Sequence, residues 1–254
     1  MMRVVSGAVE YLVWRHRADD RPCVADRRRE WTYREFAERI DAAAAQLAAV
    51  GLRRGSVIAI RMSNSLELLV VLMAVWRLGA VAAPMDAAAD RNRVENEIRA
   101  VGAVLVLDDL PLPSLPRRRG GIPCLSVESL ARRAPAGWIA PPGPGVDDIA
   151  LVYVRARGSS ACEEISHADL GLLAWQTVRH LDLTAAAVCS IALSLVRADV
   201  IAMNFLPAIL TGARVRLVSD GWCSLQVETA GPALKRARLL LAEKLPGPVE
   251  NLVS

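Results

Sequence analysis

Lysine is nearly absent from this 254-residue chain: all but two of its 31 basic residues are arginine, the exceptions being Lys235 and Lys244. The imbalance reads mainly as coding bias, and it leaves only those two candidates for lysine-dependent chemistry. Three histidines, His16, His167 and His180, are too few for a histidine-rich metal site. The five cysteines (Cys23, Cys124, Cys162, Cys189, Cys223) are scattered, odd in number and form no CxxC pair. Neither a disulfide framework nor a thiolate zinc site follows from them. No long hydrophobic run occurs. The most apolar stretch, Leu66 to Pro84, is interrupted by Glu67 and Arg77 and contains Gly79, so it is too short and punctuated to span a bilayer. The first residues reach Glu10 before any apolar segment develops, against a signal peptide. Charge of one sign is not in excess, because 27 acidic side chains leave a net +4. A nucleic-acid partner, which needs basic residues gathered on one face, is not expected. A reduced, soluble, cytoplasmic protein without a membrane span is the expectation.

What the chain does have is apolar mass. Hydrophobic residues make up 53%, enough for a substantial core in one large α/β domain or two small ones. Thr32-Tyr33-Arg34-Glu35 is a capping box, with Phe36, Ile40, Ala43, Ala44 and Leu47 following at helical spacing up to Gly51. Val57 to Ile60 reads as a strand. Asn64 or Ser65 can cap a helix through Leu69, Leu72, Met73 and Trp76. Val81 to Pro84, a polar helix over Arg91 to Arg99, and the strand Ala103 to Leu107 continue the alternation. This tempo predicts right-handed βαβ crossovers and a three-layer, mainly parallel α/β fold.

Between Pro111 and Gly145 the periodicity stops, and eight of the fourteen prolines fall there. The pattern resumes with the strand Ile149 to Val154, a Gly/Ser turn, and a helix from Ser166 to Arg179. The strand Ala187 to Leu193, a helix over Ala198 to Gly212, and the strand Arg214 to Val218 follow. After Ser219 only a cationic amphipathic segment, Ala233 to Lys244, stands out. The expected organisation is a first α/β subdomain over 1–110, a Pro/Arg/Gly-rich linker or surface excursion over 111–146, and an incomplete second α/β segment over 147–254. The arginine runs 27–29 and 117–119 read as solvated loop surface, and the six tryptophans as core or subdomain contacts.

The run Gly51-Leu52-Arg53-Arg54-Gly55-Ser56-Val57-Ile58-Ala59-Ile60-Arg61-Met62-Ser63-Asn64-Ser65 resembles the adenylate-forming (AMP-binding) superfamily. That superfamily includes acyl- and aryl-CoA ligases and the adenylation domains of peptide synthetases. Trp31 to Phe36 and Ala74 to Asp86 extend the likeness, which covers residues 25–107. The resemblance implies the N-terminal half of such an enzyme. It also implies the reaction of a carboxylic acid with ATP to an acyl adenylate, then a CoA thioester.

The chemistry of that family starts at a phosphate loop, Tyr-Thr-Ser-Gly-Thr-Thr-Gly-x-Pro-Lys-Gly-Val, followed by a Thr-His pair opening a helix. The corresponding stretch here runs from Tyr153-Val154-Arg155-Ala156-Arg157 through Gly158-Ser159-Ser160-Ala161-Cys162 to Glu163-Glu164-Ile165-Ser166-His167. Counted back from His167, Ala161 stands at the lysine and Cys162 at the next glycine. Such a loop works because glycines let backbone amides face the phosphates while hydroxyls and a lysine neutralise charge. The residues still suited to it are Arg157, Gly158, Ser159, Ser160 and Ser166, with Arg155 able to share one face with Arg157. A carboxylate from Glu163 or Glu164 about 6 Å from a phosphate charge costs about 3 kcal/mol at an effective dielectric of about 20. ATP with magnesium is the only cofactor the resemblance implies, and only if this degenerate site holds phosphate. No catalytic residue and no metal ligand is assigned.

Further departures point the same way. The family's Leu-Pro-Leu-Phe-His step reads Leu193-Ser194-Leu195-Val196-Arg197 here. The family's later adenine, ribose and lid-lysine segments have no counterpart, and neither Lys235 nor Lys244 has a lid context. Ser166-His167 reads as a helix cap and helix-start contact. Gly158 to Cys162 lacks the second glycine of a nucleophile elbow. The expectation is a truncated, degenerate acyl-CoA-ligase-like protein. The alternatives are a binding or scaffold module pairing with a full-length relative, a carrier protein or a second copy of itself, and one half of a split ligase.

Overall fold

The computed structural model describes residues 16–110, 116–131, 133–154, 161–218 and 226–228. Two sheets organise them. The larger has strand order β6-β7-β5-β3-β4-β8-β9, from β3 (Val57–Arg61), β4 (Val81–Met85), β5 (Leu105–Asp108), β6 (Arg118–Arg119), β7 (Ile122–Ser126), β8 (Ile149–Val154) and β9 (Cys162–Ser166). The smaller has order β12-β10-β11-β1-β2, from β1 (Pro22–Ala25), β2 (Glu30–Thr32), β10 (Val188–Ile191), β11 (Arg214–Leu217) and β12 (Gln226–Glu228). The β3–β4, β3–β5, β4–β8, β5–β7, β10–β11 and β1–β11 pairs are parallel. The architecture is therefore mostly parallel sheets flanked by helices.

Alternation along β3 shows how the core is divided. Ile58 and Ile60 join the larger core, whereas Ala59, between them, faces the smaller one. The smaller core packs Ala59, Val81, Val106 and Val152 against Val94 and Ile98 of helix α3 (Arg91–Ala100). The larger core gathers the other face of that sheet, α1 (Tyr33–Ala49), α2 (Leu66–Arg77), α4 (His167–His180) and the five-stranded sheet. Every residue of α2 from Leu68 to Trp76 is buried, which explains why this segment is the most apolar in the chain. The helix read over Ala198 to Gly212 runs as Ala198–Val200, a π turn Ile201–Phe205 and Leu206–Thr211. Gly212 closes it at φ +74°.

The sheets do not follow the division of the sequence at 111–146. β1 and β2 precede that stretch yet join β10 and β11, while β8 and β9 follow it yet extend the sheet of β3 and β4. The stretch itself contributes β6 and β7. The arginine runs are not simply solvated surface. Arg119 and Arg61 both bond to Asp108, which is fully buried, with Arg119 Nη2 3.0 Å from Oδ2. Arg29 pairs with Asp26 and Glu67 and lies over the Trp31 ring.

Candidate functional site

The segment that the sequence singles out for phosphate chemistry spans β8, β9 and the start of α4. Arg155, Arg157, Gly158, Ser159 and Ser160 lie outside the described residues, as do Lys235, Lys244 and the segment Ala233 to Lys244. The frame around them is described. β9 returns antiparallel along β8, pairing Val152 with Glu164 and Tyr153 with Glu163. This strand is absent from the sequence expectation, because Cys-Glu-Glu-Ile-Ser is a half-exposed edge without clean apolar alternation.

Ser166 is the N-cap of α4. Its Oγ accepts from Asp169 N (3.1 Å) and donates to Asp169 Oδ2 (2.6 Å), and the same carboxylate accepts from Ser166 N. The hydroxyl of this predicted phosphate contact is thus engaged by the capping box. His167 is 4% exposed and stands edge-on to Trp76, with ring centroids 5.8 Å apart. The Trp76 indole N–H donates to Ala150 O at 2.8 Å, and His167 Nε2 has no hydrogen-bond partner. Burial pushes the imidazole down to about 4, against a smaller opposing influence of Asp148. His167 is therefore a neutral core histidine, matching the helix-start role rather than an acid or base.

Asp148 anchors the strand entry. It accepts from Gly145 N (2.9 Å) and Arg54 Nη2 (2.8 Å), and its carbonyl accepts from His167 N (3.0 Å). Burial would raise this carboxyl, yet those hydrogen bonds hold it below the usual carboxylate range.

Two residues of the stretches compared with the family, Tyr153 and Arg197, have side-chain environments that only the structure shows. Tyr153 Oη is buried without a hydrogen-bond partner, and burial, reinforced by Asp199 and Glu163, raises its pKa. Arg197, at the position of the family's histidine, is closed onto Asp199 by two hydrogen bonds of 3.0 and 2.6 Å. Ala161, which the resemblance sets at the lysine position, is exposed and carries no charge. Cys162 donates its thiol to Ala100 O at 3.3 Å. The paired acids separate: Glu163 lies beside Tyr153, whereas Glu164 turns to the opposite face of the strand.

The model of the family "AMP-binding enzyme" matches residues 13–144, just over half of the chain. The chain belongs to the AMP-binding enzymes. Among relatives of this AMP-binding chain, phenyloxazoline synthase MbtB of Mycobacterium tuberculosis is 28% identical over 208 residues, 79% of this chain and 14% of MbtB. Tyrocidine synthase 3 of Brevibacillus parabrevis is 30% identical over 146 residues, 57% of this chain and 2% of that protein. The chain thus spans 14% or less of these curated relatives. Among solved structures, an artificially fused adenylation–PCP di-domain, NpsA-ThdA of Klebsiella oxytoca, superposes with a TM-score of 0.72 at 25% identity. The match covers 86% of this chain and 40% of that one. MatB of Rhodopseudomonas palustris superposes at 0.74 and 19% identity over 84% of this chain and 45% of MatB, a likeness of fold alone. Among the described residues of this AMP-binding protein, no helix is long and apolar enough to cross a membrane.

Proposed function

We propose that this chain is an adenylation-type module that does not itself form an acyl adenylate. The observation that carries the reading is the state of the β8–β9–α4 frame: among the described residues its packing groups are in place, whereas the polar groups at the expected charge-handling positions are engaged with their own neighbours. Trp76, His167 and Asp148 keep their contacts, while Ala161 replaces the expected cation, the Ser166 hydroxyl serves its helix, and Arg197 is neutralised by Asp199. Stabilising a transferring phosphoryl group rests on preorganised donors and cations, and their loss removes the reaction before it removes the fold.

The names of the relatives favour the peptide-synthetase branch over the acyl-CoA-ligase branch within this reading. A carrier protein, a full-length relative or a second copy of this chain is the partner class that a packing-competent, turnover-free module would serve, in the cytoplasm.

Thermal unfolding with and without excess ATP and magnesium tests the proposal. A ligand at about 100 times its dissociation constant adds about 2.7 kcal/mol, which for a chain of this size raises the midpoint by roughly 5 to 11 °C. No shift is expected, and no acid-dependent exchange of pyrophosphate into ATP. A shift of that size that disappears in R155A/R157A, together with exchange activity, overturns the proposal.

A further inference from the structure

A half-open cleft of about 360 Å3 lies at the amino ends of the parallel strands, where Val57, Val81 and Ile149 are the first residues of β3, β4 and β8, and Asp148 and Glu164 of the β8–β9 frame form part of its lining. β8 ends with Val154 at the other, carboxyl side of the sheet. The volume falls within the range of small-molecule sites, which pair an apolar wall with a few placed polar groups. Val57, Val81 and Val152 supply the wall here, and Arg54, Asp148 and Glu164 supply the charge.

The three charges are not equivalent. Arg54 is committed to Asp148 at 2.7 Å, and two glycines shape its path. A Cβ at Gly79 would stand 3.1 Å from Arg54 Cγ, and one at Gly145 would stand 3.2 Å from Arg54 Nη2. Asp148 also accepts the Gly145 N–H, so its carboxylate is satisfied twice. Glu164 pairs with Val152 through the backbone of β9, and its carboxylate makes no hydrogen bond or ion pair among the described residues. One exposed carboxylate with no protein partner among the described residues therefore stands at the rim of a wall of valines, and the described lining carries one more negative than positive charge.

We propose that this cavity is a binding site for a small primary amine, its ammonium group on Glu164 and its hydrocarbon body against Val57, Val81 and Val152. An ammonium supplies three donors to a carboxylate and tolerates an adjacent apolar wall through its chain. A carboxylate ligand meets the opposite field, since two of the three charged groups lining the cleft are carboxylates. The site is tested apart from the adenylation reading, because its probe contains no phosphate.

The test is titration of the full chain with n-hexylammonium at low salt, followed by calorimetry or amide chemical shifts, with n-hexanoate and n-hexanol as the anionic and neutral counterparts. Saturable binding of hexylammonium alone is expected. E164Q weakens it at least tenfold, E164D retains it, and E163Q, the same charge change on the opposite face, leaves it unaltered. Circular dichroism of each variant verifies the fold. Hexanoate binding as tightly as hexylammonium, hexylammonium binding unaffected by E164Q in a folded variant, or no saturable binding of hexylammonium each overturns the proposal.

Discussion

The side-chain amide of Asn64 clasps the backbone of Leu195: Leu195 N donates to Asn64 Oδ1 at 2.9 Å, while Asn64 Nδ2 donates to Leu193 O at 2.8 Å. Asn64 follows β3 of the seven-stranded sheet, and Leu193 and Leu195 follow β10 of the five-stranded one. One amide therefore ties the carboxyl ends of the two sheets, across 131 positions of sequence. The adjacent Ser65 takes the helix cap, accepting from Leu68 N at 3.1 Å, which frees Asn64 for the clasp.

Removing the clasp has a readable consequence. Each such hydrogen bond contributes about 1 kcal/mol net, and Asn64 is itself exposed, so water can answer part of the loss. N64A is expected to lower stability by about 1 to 2 kcal/mol in urea unfolding, with faster hydrogen exchange at the Leu195 amide. N64D keeps the acceptor but sets a carboxylate oxygen against Leu193 O, and it should fare no better than N64A. An unchanged exchange rate at Leu195 in N64A would count against the clasp.

His167 predicts a pH dependence. Its folded value of about 4 lies below the ordinary 6.5, so the unfolded chain binds the proton more readily. Stability is therefore full above pH 6.5, falls as pH drops from 6.5 towards 4, and loses no more from this group below that. The loss amounts to about 3 kcal/mol, because each tenfold difference in proton affinity between the folded and unfolded chain is worth about 1.4 kcal/mol. H167L should remove this component from a stability–pH profile, and a profile over pH 4–6.5 that is the same in H167L and the parent would show that His167 does not titrate as described.

Asp108 of β5 is the counter-ion of two arginines, Arg61 on the neighbouring β3 and Arg119 on β6 beyond β7. Leu110 N also donates to its Oδ1 at 3.0 Å, so both carboxylate oxygens are engaged. D108A leaves the partly buried Arg61 and Arg119 without their shared anion, a defect that typically costs about 3 to 5 kcal/mol. Guanidinium unfolding of D108A should show a loss of that order, and R119A a smaller one, because Arg61 then keeps Asp108 to itself. Equal midpoints for D108A and the parent would mean the cluster contributes nothing.

Gly79 sits at φ +65° with the Arg54 stem across its open face. G79A adds a Cβ in the left-handed region and pushes on Arg54 Cγ, so both effects are unfavourable. A loss of about 1 to 2 kcal/mol is expected by thermal unfolding. R54A in the G79A background should recover the steric part; no recovery would assign the whole effect to backbone conformation.

Local signals carried much of the secondary structure. The Thr32–Glu35 capping box, the Ser65 cap, the βα alternation over 57–108 and the Ser166 cap all follow from side chains that satisfy or pattern their own neighbours. The short strands β1, β2, β6, β7 and β9 were not legible, because two to five residues with Pro, Arg or Glu carry no periodicity of their own. Their pairing is decided by distant partners, such as Val24 with Val215 and Cys124 with Val106. At the candidate site, the sequence offers Ala161 where the resemblance expects the loop lysine. The burial of His167, the closure of Arg197 onto Asp199 and the opposite facing of Glu163 and Glu164 were not.

The motif runs over residues 25–107 and the local pattern by themselves determined the family likeness and the mainly parallel α/β class. Each depends on residue identity and on neighbours within a turn or a strand. Only the tertiary structure decided that β1 and β2 join the strands after residue 187, that Arg119 serves the buried Asp108, and that Glu164 overlooks the cavity beside Arg54. These are contacts between residues far apart in the chain. Their free energy comes from burial and charge pairing that exist only once the two sheets have closed around their shared helices.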